Sequence, residues 1–322
     1  MKNKLFGKKT GLYASELILG AAMLGNRKGY GSTAEEAKHI LTAYADVGGN
    51  FIDISDRYQL GEAEELVGKF IEHQRSNFII CTKYTQSNEN NPAISNYGNH
   101  RKAMRQAVES SLKRLKTDYI DVYMPHFDDG VTPIDEIVRG LEDLVNAGKV
   151  LYTGLTNFPA WKVAAIAKST NLSAIQIEYN LVQRSADREF IPMASEFGLG
   201  TMMYSPLAGG LLTGKYRQGE SGRINPNSDS EYKEDDFTRK IIDHLIVISE
   251  ELGITPGQVA FAWILSKDAF PIVGARAVSH LNDALKAVSV QLTADQIAIL
   301  DQLSAVSLGY PHDLLKQVRG VI

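Results

Sequence analysis

The stretch GNFIDISDRYQLGEAEELVGKFIEHQRSNFIICTK, residues 49–83, decides how the rest of the chain is read. Two short apolar runs, 51–54 and 78–83, flank a polar loop and a segment over 62–73 whose apolar positions recur every three or four residues. That is a strand, a loop, a helix and a second strand. Both runs are almost continuously apolar, as strands covered on both faces must be, so the two strands are expected to be parallel with the helix packed across them.

Outward from there the unit recurs. Strand candidates cover 17–20, 51–54, 78–83, 120–124, 150–155, 174–178, 200–205 and 270–273, and helical spacing covers 34–47, 62–73, 101–115, 134–147, 160–169, 187–197, 237–252 and 279–288. Gly148 and Gly198 stand where helix C-caps belong. Eight strand–helix units favour a closed parallel barrel that takes residues 1–322 as one domain. Residues 4–13 read as a small hairpin ahead of the first barrel strand, positioned to plug its lower end. Two helices are extra: one opened by Thr255-Pro256, with proline suited to a first turn, and one over 293–304. The tail 306–322 has weak periodicity, and 217–236, rich in Gly, Ser, Asn and acidic residues, is the one long irregular stretch, a lid or a solvated loop.

Composition narrows the partners. Thirty-four Lys and Arg against 38 Asp and Glu leave a net charge of -4, so no global basic field draws nucleic acid or an anionic membrane, and a small-molecule ligand is the expectation. The lysines at 2, 4, 8 and 9 precede a short apolar run, but Glu16 and the glycines interrupt it, and no segment approaches the ~20 apolar residues of a membrane span. The single cysteine, Cys81, excludes an intrachain disulfide framework and a thiolate zinc site, which suits the reducing cytoplasm.

In a parallel barrel the loops at the C-terminal strand ends carry the chemistry. Asp53 ends the second strand and Tyr58 follows it; Lys83 ends the third; His126 follows the fourth. Singly these read as a turn cap, a lining aromatic, a solvated strand end and a loop histidine. Together they form general-acid machinery: an ammonium ~4 Å from a phenolate stabilises it by about 4 kcal/mol at an effective dielectric near 20, before desolvation. A carboxylate holds the lysine, and an imidazole positions a carbonyl oxygen.

With those residues in view, the chain resembles the aldo-keto reductase superfamily over essentially its whole length. The resemblance is carried by Gly48-Gly-Asn-Phe-Ile-Asp53 through Tyr58, Gly61-Glu-Ala-Glu-Glu-Leu-Val-Gly68, Thr82-Lys83, Asp118-Tyr-Ile-Asp-Val-Tyr123 leading to His126, Gly148-Lys-Val-Leu-Tyr-Thr-Gly154 and Ser205-Pro-Leu-Ala-Gly-Gly-Leu-Leu-Thr-Gly-Lys-Tyr216, in that order. It implies a single (β/α)8 TIM barrel, a catalytic tetrad of Asp53, Tyr58, Lys83 and His126, and NADPH-dependent reduction of an aldehyde or ketone with Tyr58 as proton donor. It also implies cofactor contacts at Thr156, Asn157 and Gln176 for the carboxamide, and Tyr204 for the ring face. Ser205, Leu207, Gly209, Lys215 and Arg223 are implied for the pyrophosphate, and Arg276 for the 2′-phosphate of NADPH. Near the adenine the family's glutamine and asparagine correspond to His280 and Ala284, with Asp283 as an acidic neighbour.

The alternatives are few. No Gly-x-Gly-x-x-Gly opens a helix after an early strand, which disfavours a Rossmann dehydrogenase. Gly209-Gly-Leu-Leu-Thr-Gly-Lys215 imitates a P-loop, but Tyr216 stands where a Ser or Thr should bind magnesium. The histidines show no metal-ligand spacing, so no metal is expected. A nicotinamide-nucleotide sensor with little turnover would use the same barrel, and a Schiff-base enzyme at Lys83 would leave Tyr58 unexplained. Substrate identity and oligomeric state are left open at this level.

Overall fold

The computed structural model describes residues 1–220, 222–224 and 234–320. Strands β1 (Asn3–Leu5) and β2 (Tyr13–Ser15) pair antiparallel as the expected hairpin. Eight parallel strands then close into a barrel: β3 (Ile18–Gly20), β4 (Phe51–Asp53), β5 (Ile79–Tyr84), β6 (Ile120–Pro125), β7 (Val150–Thr156), β8 (Leu172–Glu178), β9 (Gly200–Tyr204) and β10 (Phe270–Gly274). They neighbour one another in chain order, and β10 returns to pair with β3. Helices α1 (Ala34–Asp46), α2 (Glu62–Ile71), α3 (Arg101–Leu115), α4 (Ile134–Asn146), α5 (Ala160–Ser169), α6 (Phe190–Phe197), α7 (Asp236–Leu252) and α9 (Val278–Lys286) alternate with the strands.

Two cores account for the apolar strands. Phe51, Ile79, Cys81, Val122, Met124, Ala174, Met202, Phe270 and Ile272 fill the barrel, while Leu19, Ile52, Ile80, Leu155, Ile175 and Met203 pack outward against the helices. The alternation is the period of two that a strand imposes. Phe6, from the hairpin turn, is fully buried with the lumen residues and meets Phe51 and Phe270 edge-on, with centroids 5.1 and 5.3 Å away. The hairpin is therefore a plug, as its position suggested.

The extra helices are α8 (Pro256–Leu265) and α10 (Ala294–Leu303), each opened by a threonine capping box, Thr255 with Gln258 and Thr293 with Gln296. Gly198 caps α6 in the left-handed region, at φ 66°. The tail differs from expectation: His312–Arg319 forms a further helix, α11, none of whose residues is buried. Much of the irregular stretch expected over 217–236 lies outside the described residues. Within them, Asp235 caps α7 by accepting from the Thr238 amide.

Candidate active site

Strand alternation aims the key side chains. On β4, Ile52 faces the helices, so Phe51 and Asp53 face the lumen. On β5, Cys81 and Lys83 face the lumen, whereas Thr82 points outward and donates to Glu64 of α2 at 2.6 Å. Lys83 Nζ lies 2.6 Å from Asp53 Oδ1 and donates to the Ile54 carbonyl at 2.8 Å, with its side chain fully buried. Gln176, on the lumen face of β8, donates from Nε2 to the same Asp53 oxygen at 2.8 Å. The carboxylate is thus held from two sides of the barrel.

Tyr58 sits on the turn after β4, where Gln59 and Leu60 adopt positive φ. Its ring centre is 5.3 Å from Lys83 Nζ and 5.7 Å from the His126 ring, to which it stands edge-on. Burial pushes the Tyr58 phenol above its ordinary pKa, and Lys83 pulls it partly back. The ammonium acts in the expected direction, but burial outweighs it and keeps the phenol protonated. Lys83 itself is raised: burial opposes its charge, and Asp53, Tyr58 and Cys81 together overcome that. Burial, then Lys83 and Lys28, push His126 down to about 3, so its imidazole is neutral at ordinary pH.

The remaining predicted contacts spread along one side of the mouth. Thr156 is buried at the end of β7, its hydroxyl 3.2 Å from Met124 Sδ. Asn157 donates to the His126 carbonyl at 3.0 Å and accepts from the Tyr204 hydroxyl at 2.9 Å. Burial, then Glu178 and Tyr58, raise Tyr204 to about 12, which preserves that hydroxyl as a donor. Asn157 and Ser205, at the ends of β7 and β9, both have φ 55°, a left-handed conformation that non-glycine residues seldom adopt outside constrained sites. Leu207 and Gly209 follow in the turn after β9. Gly209 and Gly210 also have positive φ, and a Cβ on Gly210 would come within 3.0 Å of Lys215 Cε.

Burial, then Arg276 and Lys215, depress the His280 pKa, against the smaller pull of Asp283 and Glu36. The Arg276 guanidinium lies 4.5 Å from the Tyr30 ring centre. Arg223 is exposed. Asp283 is engaged within the protein: its Oδ1 accepts from Gln258 Nε2 at 2.7 Å, which ties α9 to α8.

Four contributors escaped the sequence reading. Asn180 donates to the Ser205 carbonyl at 3.0 Å and pins that strained turn. Glu36 of α1 accepts from the Val278 amide at 2.8 Å, so part of the helix N-terminus beside Arg276 is already bonded. Ser55 shares a 3.1 Å hydrogen bond with His126 Nδ1 and donates to Asp56 at 3.2 Å. Their only sequence signal was the polar run Ser55-Asp56-Arg57 directly after a buried strand.

A parallel barrel with a buried lysine–carboxylate pair beneath a tyrosine and a neutral imidazole has the makings of an acid–base enzyme built at the strand ends. The chain belongs to the Aldo/keto reductase family, whose model matches residues 16–305; it is an oxidoreductase by that membership. It is 32% identical to an aryl-alcohol dehydrogenase of Pestalotiopsis microspora over 98% of this chain and 85% of that one. It is 33% identical to an NADP(+) aryl-alcohol dehydrogenase of Phanerodontia chrysosporium over 94% and 86%. A norsolorinic acid reductase of Aspergillus flavus is 30% identical over 97% of this chain and 84% of its own. Among the described residues no group of His, Cys, Asp and Glu is arranged to hold a metal ion, and no helix is long and apolar enough to cross a membrane.

Proposed function

We propose that the protein reduces aldehydes or ketones, aromatic ones among them, to alcohols with NADPH, and runs the reverse reaction on the alcohols. The observation that carries this reading is the fully buried Lys83 ammonium, 2.6 Å from Asp53 and 5.3 Å from the centre of the Tyr58 ring. Tyr58 gives its phenol proton to the carbonyl oxygen. The phenolate left behind is stabilised by Lys83, by about 3 kcal/mol at that ring-centre distance and an effective dielectric near 20. Asp53 keeps Lys83 charged and in place. His126, neutral, hydrogen-bonds the same oxygen and orients it.

Bound NADPH supplies the hydride. The chain's residues fit it: Tyr204 offers an aromatic face at the mouth, Asn157 and Gln176 offer amide groups, and Lys215 and Arg276 bring positive charge to the neighbourhood of His280, whose own pKa they depress. The aromatic substrate class is supported by the aryl-alcohol dehydrogenases among the relatives and by Tyr30 and Tyr97 in the loops that follow β3 and β5. The test is absorbance at the reduced-nicotinamide band with NADPH and with NADH, against a panel of aromatic and aliphatic carbonyls. Turnover of aromatic aldehydes that is faster with NADPH is expected; tight NADPH binding without turnover across the panel would overturn the proposal in favour of a sensor.

A further inference from the structure

Ser55 stands between His126 and a buried carboxyl that the chemistry above does not use. Its Oγ lies 3.2 Å from the Arg57 amide, 3.1 Å from His126 Nδ1, 3.2 Å from Asp56 Oδ1 and 3.5 Å from the Lys83 carbonyl. A hydroxyl has one proton to donate and two lone pairs. The Arg57 amide takes one lone pair, and the Lys83 carbonyl, at the longest distance, already accepts from the Asp56 amide at 3.0 Å. One donor and one acceptor position are left for Asp56 and His126.

Two arrangements satisfy that count. With Asp56 ionised, its carboxylate can only accept; Ser55 donates to it, and His126 must carry its proton on Nδ1 to donate to Ser55. With Asp56 protonated, the carboxyl donates to Ser55, Ser55 donates to Nδ1, and the proton of the neutral ring sits on Nε2. Between the two forms the chain as a whole loses one proton.

We propose that Asp56 is a positioning residue that sets, through Ser55, which nitrogen of His126 carries the proton. Resting on the carbonyl–alcohol reading above, its acid form presents Nε2–H as a donor to a carbonyl oxygen, and its carboxylate presents Nε2 as an acceptor for an alcohol hydroxyl. The same site is thereby tuned toward reduction at lower pH and toward alcohol binding at higher pH.

The surroundings suit the role. Asp56 is 2% exposed. Glu64 of α2, fully buried, faces it and is itself paired to Arg114 of α3 at 2.7 Å. Tyr123 of β6 senses its charge, as does Lys28 from the segment before α1. Arg57 follows it in the chain, Lys83 and His126 lie on the barrel side, and Tyr84 of β5 stacks on Tyr123 at 5.1 Å. Burial and Glu64 push Asp56 up to about 7, against the pull of Arg114. It therefore changes form within the working range, while His126 stays neutral throughout. A cavity of about 1140 Å³, reaching from Asp56 and Tyr84 past Arg114 to Lys149, gives the carboxyl a route for exchanging protons with solvent.

The test uses the full chain labelled with nitrogen-15 in its histidine rings and long-range proton–nitrogen correlation spectra from pH 5 to 9, which report the tautomer directly. His126→Gln identifies the signals. The expected result is a change of His126 from Nε2–H to Nδ1–H with a midpoint near 7, abolished both in Asp56→Asn and in Ser55→Ala. The second variant keeps the carboxyl and cuts only the chain. One tautomer across the whole range, or a change that survives either substitution, overturns the inference. Carbonyl reduction is followed in parallel, with KM for the aldehyde expected to rise about tenfold above the midpoint in the wild type and to lose that rise in both variants. A tautomer change in a protein without turnover would refute the reductase reading alone; full turnover with an invariant tautomer would refute the relay alone.

Discussion

Replacing Lys83 with methionine keeps the side chain's length and removes its charge from a site with no solvent access. The ammonium is bonded to Asp53 at 2.6 Å and to the Ile54 carbonyl at 2.8 Å, and the Asp53 side chain is 3% exposed. After substitution Asp53 retains Gln176 as a donor but no counter-charge. Leaving one member of a buried pair behind typically costs about 3–5 kcal/mol, because desolvation is no longer offset by attraction. Asp53→Asn/Lys83→Met removes both charges together and should restore most of that loss. Carbonyl reduction should not return, since Tyr58 still lacks the ammonium whose attraction is about 3 kcal/mol at the observed ring-centre distance, roughly a hundredfold in rate. The assay is chemical denaturation of the wild type, both single variants and the double variant, with turnover measured on each. If the two single losses simply add in the double variant, the pair is not coupled and the reasoning fails.

Other consequences are as definite. The Asp56 carboxyl is raised from 3.8 to about 7 by burial and Glu64, so the stability it contributes is complete below about pH 4 and is lost as pH rises through 7. At ~1.4 kcal/mol per tenfold change in proton affinity the loss is at most about 4.5 kcal/mol; relative to Asp56→Asn, the wild type should weaken between about pH 4 and 7 and level off above that, and parallel pH profiles would contradict this. Phe6→Ala should destabilise the barrel by about 3–5 kcal/mol by emptying its floor, with activity per folded molecule retained, as read from thermal unfolding and initial rates. Arg276→Met should raise KM for NADPH about tenfold or more and leave NADH little changed; equal effects on both would remove Arg276 from the phosphate site.

The barrel was legible because doubly covered strands are apolar almost throughout, and its lumen residues follow from a period of two. Asp53 and Lys83 were readable for the same reason: Asp53 ends β4, Lys83 is one residue short of the end of β5, and the register Asp53 opposite Cys81 puts Lys83 two residues further along the same face. Ser55 and Asp56 were not, since past the strand end no periodicity aims a side chain, and the inward or outward turn depends on Glu64 and His126, which arrive from other elements. Glu36 reaches the Val278 amide across 242 positions of sequence, a contact that only barrel closure creates. Helix α11 was missed because Leu314, Leu315 and Val318 stay between 42% and 49% exposed, so no core imposes a pattern on them. Similarly, sequence put the Lys83 ammonium beside Tyr58 but could not weigh it against burial, which governs the phenol.

The central claim is that the Tyr58 hydroxyl delivers the proton to the reacting oxygen. Its most direct measurement is a single-turnover mixing experiment in which enzyme-bound NADPH meets excess aromatic aldehyde, in the wild type and in Tyr58→Phe, after fluorescence titration of cofactor affinity in each. General-acid placement of this kind is worth ~100 to 10,000-fold. The account predicts matching affinities with NADPH oxidation slowed at least a hundredfold in Tyr58→Phe; oxidation at the wild-type rate would contradict it.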